Sequence, residues 1–286
     1  MVKKGILVGL GNIGLLYDYV VDDRIITHSS AIDKCKNLQL LYSVDTNHIN
    51  RKRFYKKYKI PAYAKLIPSK KKIDFITVAT NSEKHYEILK YIIKNLNVKL
   101  IIIEKPFCMN LNEAKKILKS AKGKKIKIFV NYIRSFDSTW IKIKKILQNH
   151  KIFGLINYYK DEKVNGSHFI HLCMILFGNI YSVKKIDHLN FELYFKNAII
   201  KFKRSYRRSK TSILLKGNNL EILDNNKFKI KILRSKARYI KNEMKNYQLN
   251  VYKKIFNSNI NLLIKKNLQY SINVHEVIHK INGKNK

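Results

Sequence analysis

Along its first half the chain alternates between short apolar runs and longer stretches with apolar positions three and four apart. Gly5–Val8, Leu38–Val44, Ile73–Thr80, Lys99–Glu104 and Ile126–Val130 have the Ile, Leu and Val content of strands buried on both faces. Between them, Arg51–Tyr58, Ser82–Asn95 and Leu111–Lys122 carry helical spacing. Tyr86, Leu89 and Ile93 mark one face of the second helix, and Asn110 or Asn112 suits the N-cap of the third. Strands alternating with helices predict a doubly wound parallel sheet, an α/β fold. Residues 131–286 read differently. Ser135–His150 and Gly166–Phe177 predict helices and Ile152–Lys160 a strand. Tyr181–Asp187, Phe191–Phe195, Ala198–Lys203, Ser212–Lys216, Leu220–Leu223 and Lys227–Leu233 are close together and separated by turn residues such as Asn218-Asn219 and Asp224-Asn225-Asn226, which predicts an open, mostly antiparallel sheet. Glu243–Phe256 and Leu268–Ile281 predict closing helices. Two domains follow, 1–130 as α/β and 131–286 as α+β.

Ligands of doubly wound sheets sit outside the carboxyl ends of the strands, so those ends hold the candidate chemistry. The first strand leads into Gly9-Leu10-Gly11-Asn12-Ile13-Gly14, a G-x-G-x-x-G. Gly9 suits the tight strand-to-helix turn, Gly11 close backbone approach to a pyrophosphate, and Gly14 close helix–strand packing. The helix N-terminus would then offer free N–H groups to phosphates. Asp45 closes the second strand, where a carboxylate accepts from adenosine ribose hydroxyls and repels a 2′-phosphate; this predicts NAD over NADP. Its other reading is a turn-forming Asp in Asp45-Thr46-Asn47. Asp45 lies 31 residues after Gly14, where ~20 is usual. The excess falls in Tyr17–Lys36 and predicts a longer helix or a loop, while nearby Arg51 and Arg53 leave room for some tolerance of NADP. Thr80-Asn81, Glu104-Lys105-Pro106 and Asn131-Tyr132 end later strands and are expected to ring one crevice.

Five segments together resemble the Gfo/Idh/MocA family of NAD(P)-dependent oxidoreductases. They are the glycine motif, Ala79–His85, Glu104-Lys105-Pro106-Phe107, Asn131–Phe136, and Gly166-Ser167-His168-Phe169-Ile170-His171 with Gly178. Thr27-His28 resembles a branch found among polysaccharide and cell-surface sugar biosynthesis proteins. The resemblance implies a Rossmann NAD-binding domain over 1–130 and a substrate-binding, oligomerising domain over 131–286. It places Gly9, Gly11, Asn12, Ile13, Gly14, Asp45, Thr80, Asn81, His85, Glu104 and Lys105 at the cofactor. Lys105 would reach the nicotinamide–substrate junction ahead of a cis Pro106 and serve in proton transfer; His168 would face the reacting hydroxyl. Tyr132, Arg134, His168 and His171 would bind substrate. The implied reaction is hydride transfer between the nicotinamide and a hydroxyl or keto carbon of a sugar, sugar acid or nucleotide-sugar, in a homo-oligomer.

Two positions depart from the family pattern. Val164 and His171 stand where many relatives carry Asp. His171 then either substitutes as an acid/base or substrate ligand, or marks a repurposed site in a catalytically impaired NAD- or sugar-binding regulatory protein. Spacing alone reads both histidines as packed residues of the 166–177 helix; the resemblance outweighs that reading for His168 but not for His171. Spacing alone reads Lys105 as a surface lysine, and its place between a buried strand and Pro106 argues against it.

Composition changes this picture little. The 286 residues include 59 Lys and Arg against 19 Asp and Glu, a net charge of +40. The excess is mostly lysine, runs through both halves, and accompanies abundant Ile, Asn and Tyr, as codon bias toward AT-rich triplets produces. It is read as solvated surface, predicting salt-sensitive attraction to nucleic acid without a specific site. Arg204–Arg208 is read likewise as a solvated edge, with a nucleotide-sugar phosphate as the alternative. Cys35, Cys108 and Cys173 form neither a CxxC pair nor a disulfide framework, which fits a reducing cytoplasm. No zinc-type cluster is apparent. The longest apolar stretch, Phe169–Phe177, falls short of the ~20 residues that span a bilayer. Lys3-Lys4 and the apolar run after it imitate a signal peptide, but Asn12 and Asp18 interrupt the pattern.

Overall fold

The computed structural model describes residues 2–20, 23–207, 211–225, 229–233, 237–241, 244–257 and 260–283. Arg208, Asn226, Lys227 and Glu243, which belong to segments discussed above, lie outside them. The chain forms two compact units, one of Met1–Asn131 with Asn246–Ser271, the other of Tyr132–Lys245 with Ile272–Lys286. The first unit thus takes in a late segment that the expected division at residue 130 assigned to the second domain.

The first unit is built on a six-stranded sheet of order β3-β2-β1-β4-β5-β6. The strands are β1 (Lys3–Val8), β2 (Leu38–Val44), β3 (Ala62–Tyr63), β4 (Ser69–Val78), β5 (Leu96–Glu104) and β6 (Lys127–Asn131), all pairing in parallel. Ile6, Leu7, Phe75, Ile76, Ile101, Ile102 and Ile103 are fully buried, as strands covered on both faces require. The helices include α1 (His28–Asp33), α2 (His48–Tyr58), α3 (His85–Asn95) and α4 (Leu111–Gly123). Of the two candidate caps for α4, Asn110 is the one used: its side chain accepts from Glu113 N at 2.9 Å. Helix α2 starts three residues before Arg51 because Asn47 caps it, accepting from Ile49 N and Asn50 N.

The glycine motif does not open a long helix. Asn12–Leu16 makes one wide turn, and the chain then loops before α1 begins at His28. Asp18, 2% exposed, closes that loop. Its carboxylate accepts from Ile26 N, Thr27 N, Thr27 Oγ1 and Ser30 Oγ at 2.5–2.9 Å. Four donors satisfy a buried charge that would otherwise cost several kcal/mol. Part of the long interval between Gly14 and Asp45 is therefore a stretch ahead of α1 that Asp18 staples to Ile26, Thr27 and Ser30.

The second unit holds an eight-stranded sheet of order β14-β13-β12-β11-β7-β10-β9-β8. These are β7 (Ile152–Tyr159), β8 (Ser182–Lys185), β9 (Asn190–Phe195), β10 (Ala198–Ser205), β11 (Ser212–Gly217), β12 (Leu220–Asp224), β13 (Lys229–Leu233) and β14 (Ala237–Lys241). Only β7 and β10 pair in parallel. Phe191, Leu193, Phe195, Phe202 and Ile156 face one side and are buried; Phe177 of α6 (Ser167–Phe177) packs on Phe195. The single helix expected over Ser135–His150 is a short turn, Ile133–Phe136, followed by α5 (Ser138–Leu147), which Asp137 caps through Thr139 N at 2.8 Å. Two helices end the chain, α7 (Tyr247–Asn257) and α8 (Ile260–Asn282), the latter starting eight residues earlier than its sequence pattern suggested.

Candidate functional site

In the first unit the strand order reverses between β1 and β4, the switch point at which such sheets take ligands. A cleft of about 720 Å³ opens there, lined by Gly9, Gly11, Asp45, Thr46, Thr80 and Asn81 at the strand ends. Ala64, Lys65 and Leu66 after β3, and Lys84, Glu87, Ile88 and Tyr91, complete it. Apart from Lys84, which lies in the Ala79–His85 segment, none of these last seven belongs to a recognisable motif. Positions 84, 87, 88 and 91 do share helical spacing, on the side of α3 away from buried Leu89 and Ile93.

The three glycines are not equivalent. Gly9 has φ +97°, and a Cβ there would lie 2.6 Å from the Ala79 backbone. A Cβ on Gly14 would lie 2.1 Å from the Gly9 carbonyl oxygen. The protein's own packing therefore accounts for both. A Cβ on Gly11 would meet nothing within 4 Å, and Gly11 faces the cleft. Nothing in the fold requires glycine there, whereas a ligand seated against the backbone does. Thr80 Oγ1, buried in the cleft wall, has no hydrogen-bond partner among the described residues. These features fit a dinucleotide with its pyrophosphate against the glycine loop.

Asp45 makes the turn anticipated for its position and a further contact to the glycine loop. One carboxylate oxygen accepts from Leu10 N at 2.6 Å, tying the second strand end to the glycine loop, and the other makes the turn by accepting from Asn47 N at 2.7 Å. Arg51 does not point a free guanidinium at the cleft: its Nη1 donates to the Asp45 and Thr46 carbonyls at 2.7 and 2.9 Å. Asn12, Ile13 and Gly14 form the turn behind the loop, and the cleft lining includes neither them nor His85, Glu104 or Lys105.

His85 is fully buried and braces two strand-end loops, with Nδ1 2.8 Å from the Pro106 carbonyl and Nε2 3.1 Å from the Thr80 carbonyl. Burial pushes its pKa below the ordinary histidine value, outweighing the two carbonyls that favour the charged ring. Glu104 ends β5 and precedes half-buried Lys105, whose bond to Pro106 is cis. Burial acts to raise the Glu104 pKa, yet hydrogen bonds from His28 and Asn131 and the nearby Lys105 charge hold it below the usual carboxylate range.

In the second unit, Tyr132, His168 and His171 form one aromatic cluster. Tyr132 is fully buried and stacks on His171 with centroids 4.2 Å apart; its edge meets the His168 ring at 5.9 Å. His171, fully buried, has Nδ1 2.6 Å from Ser135 Oγ. His168 is half-buried at the start of α6. Arg134 is buried, lies over the Phe169 ring at 4.7 Å and approaches Asp224 to 3.8 Å. Burial lowers the guanidinium's pKa, against which Asp224 and Asp137 act. Val164 is 39% exposed in the turn that Asp161 caps. A cleft of about 890 Å³ elsewhere in this unit is lined by Lys203, Arg204, Tyr206 and Arg207, so Arg204 borders a cavity rather than a plain edge. None of the candidate residues lies in it.

Among the described residues, no group of three or more His, Cys, Asp or Glu side chains could hold a metal ion. No helix there is long and apolar enough to cross a membrane. The three cysteines are buried free thiols with raised pKa values, Cys108 pushed up to about 12, so none is a ready nucleophile.

Residues 5–132 match the model of an oxidoreductase family with an NAD-binding Rossmann fold, GFO_IDH_MocA. An uncharacterized oxidoreductase of Schizosaccharomyces pombe is 25% identical over 179 residues, 52% of this chain and 48% of that protein, so the match spans about half the length of the relative. Among solved structures, an Agrobacterium radiobacter oxidoreductase in complex with NAD+, L-tartaric acid and magnesium superposes with a TM-score of 0.77 at 14% identity, covering 99% of this chain and 98% of its own. A variant of a 3-ketoreductase from Actinomadura kijaniata, in complex with TDP-benzene and NADP, gives 0.75 at 11% identity, covering 97% of each chain. At these identities the structural likeness establishes the shared fold.

Proposed function

Since residues 5–132 belong to the Gfo/Idh/MocA oxidoreductase family with its NAD-binding Rossmann fold, we propose that this chain uses NAD to oxidise or reduce a hydroxyl or keto carbon of a sugar, sugar acid or nucleotide-sugar. The observation that carries the cofactor half of this reading is the open side of Gly11 within the switch-point cleft. Asp45 supports NAD over NADP: its carboxylate is fixed at the cleft wall by Leu10 N, where it would meet a 2′-phosphate with like charge. The neighbours carry both cofactors, NAD+ in one and NADP in the other.

The bound nicotinamide supplies the hydride acceptor or donor. Lys105 moves the proton of the reacting hydroxyl. It is half-buried beside the ionised Glu104, so its amine is held in place by charge and by the rigid β5 end. His168 presents a half-exposed imidazole to the substrate, and Tyr132 sets its orientation through ring contact. His171, stacked on Tyr132 and bonded to Ser135, supports that tyrosine. A homo-oligomer in the cytoplasm, serving polysaccharide or cell-surface sugar synthesis, belongs to the same proposal. A second reading, a cofactor-binding protein without turnover, is favoured by His171, whose packing leaves no carboxylate at that position of α6.

Calorimetric titration with NAD and NADP at moderate salt, followed by a sugar-derivative screen monitored at the nicotinamide absorbance, tests the proposal. The expected outcome is NAD binding tighter than NADP, with Asp45→Asn narrowing the difference. In a chain that turns over, Lys105→Met should lose about 10²–10⁴-fold in kcat with NAD affinity kept. Binding without turnover across the screen supports the second reading, and no binding to either nucleotide sinks both.

A further inference from the structure

Glu104 and three buried side chains of the first unit form a closed hydrogen-bonded ring. His28 Nε2 lies 3.0 Å from Glu104 Oε1, and Asn131 Nδ2 donates to the same oxygen at 2.5 Å. Asn131 Nδ2 donates also to Gln248 Oε1 at 3.1 Å, and Gln248 Nε2 lies 2.7 Å from His28 Nδ1. His28, Asn131 and Gln248 are each fully buried, and Gln248 comes from α7, late in the chain.

The ring permits one arrangement of hydrogens. An ionised carboxylate only accepts, so both groups facing Glu104 must donate to it. That orients the Asn131 amide, whose second N–H meets the Gln248 carbonyl oxygen. The Gln248 amide is thereby turned so that its NH₂ faces His28, and an NH₂ only donates, so His28 Nδ1 accepts. The ring proton of His28 therefore sits on Nε2, pointing at Glu104. The Tyr252 hydroxyl lies beside the ring, 2.9 Å from His28 Nδ1 and 2.7 Å from Thr77 Oγ1. Each contact around the ring joins a donor to an acceptor, while Asn131 Oδ1 is buried without a hydrogen-bond partner among the described residues.

We propose that His28, Asn131 and Gln248 are positioning residues, whose ring with Glu104 fixes that carboxylate beside Lys105 and so sets the surroundings of the proton-transferring lysine. The role of Lys105 in turnover rests on the proposed function; the ring itself does not. The titratable groups around Glu104 are His28, Lys105, Tyr247 and Tyr252, and burial together with Glu104 raises the pKa of both tyrosines. The arrangement also gives His28 a reason to follow the stretch ahead of α1: Asp18 staples that stretch at Thr27, one residue before the histidine.

Two measurements on the intact protein test this. Nitrogen-15 NMR of labelled histidines, with His28 identified by its loss in His28→Gln, should show the proton on Nε2; a proton on Nδ1 overturns the ring. Competitive acetylation with acetic anhydride across pH, read by mass spectrometry of the Lys105 peptide, follows the lysine directly. Glu104→Gln should lower the Lys105 midpoint by about one pH unit, a tenfold rise in the unprotonated fraction at fixed pH. His28→Leu and Gln248→Leu should each displace it by more than half a unit, about threefold. His28→Gln, which can still donate to Glu104 and accept from Gln248, should restore it. Lys99, paired with Asp74 in the same unit, serves as the unmoved internal control. A folded His28→Leu or Gln248→Leu protein with the wild-type midpoint overturns the proposal. If Lys105→Met kept full turnover, these midpoints would be unaffected, so the two readings fail separately.

Discussion

The glycine loop after β1 and the histidine turn after β7 are both short motifs leaving the carboxyl end of a strand, yet their residues are held by different means. At Gly9 and Gly14 the constraint is backbone against backbone, within a few residues of sequence or across one strand pair. At His168 and His171 it comes from side chains of a separate segment, Tyr132 and Ser135, some 35 residues away. A motif of the first kind tolerates no change of shape. One of the second kind tolerates replacement wherever another side chain can fill the same contacts.

The sharpest break of this comparison is steric. Gly14→Ala sets a Cβ against the Gly9 carbonyl oxygen, and neither backbone can yield without moving β1 or the turn. The expected cost is about 3 kcal/mol, or on the order of 6–12 °C in melting temperature; a melting curve within a degree of wild type would show that the turn is loose. His171→Phe should cost less, about 1–3 kcal/mol, because the ring stack on Tyr132 survives while buried Ser135 loses its partner. Calorimetric unfolding distinguishes the two, and equal losses would erase the contrast drawn between the motifs. Gly11→Ala sharpens the contrast from the other side. With open space around its Cβ, it should leave the melting temperature unchanged and weaken NAD at least about tenfold, roughly 1.4 kcal/mol. Unweakened NAD binding would detach the glycine loop from the cofactor.

What was legible in the sequence follows the same division. The parallel sheet, its strand ends and the glycine loop could be read because burial on both faces and tight turns leave local patterns in Gly5–Val8, Ile73–Thr80 and Lys99–Glu104. The late helices were harder: α8 begins at Ile260, but Lys265-Lys266-Asn267 interrupts the apolar pattern that resumes at Leu268, and α7 joins the first unit through Gln248 and Tyr252, contacts more than 170 residues distant. The stapled loop after the glycine motif was visible only as excess length, since nothing local identifies Asp18 as the acceptor of four hydrogen bonds. The cleft residues Ala64–Leu66 and Tyr91 carry no motif, because what they contribute is shape rather than chemistry.

The smallest effect expected concerns acid, and it separates two groups at neighbouring strand ends. His85 has a depressed pKa in the fold, chiefly through burial. The unfolded chain therefore binds its proton more readily, and the stability His85 contributes is present above the ordinary histidine pKa of about 6.5 and is lost as pH falls toward the folded value. Glu104 is depressed as well, its hydrogen bonds and Lys105 prevailing over burial. Its contribution holds above the ordinary glutamate pKa of about 4.3 and is lost only below it. Urea midpoints measured from about pH 8 to about pH 2 should decline in two stages. His85→Gln should flatten the limb below pH 6.5 and leave the lower one, and Glu104→Gln should do the reverse. If either substitution flattened both limbs, the two groups would be one coupled unit, and the brace at His85 would have to be counted with the ring around Glu104.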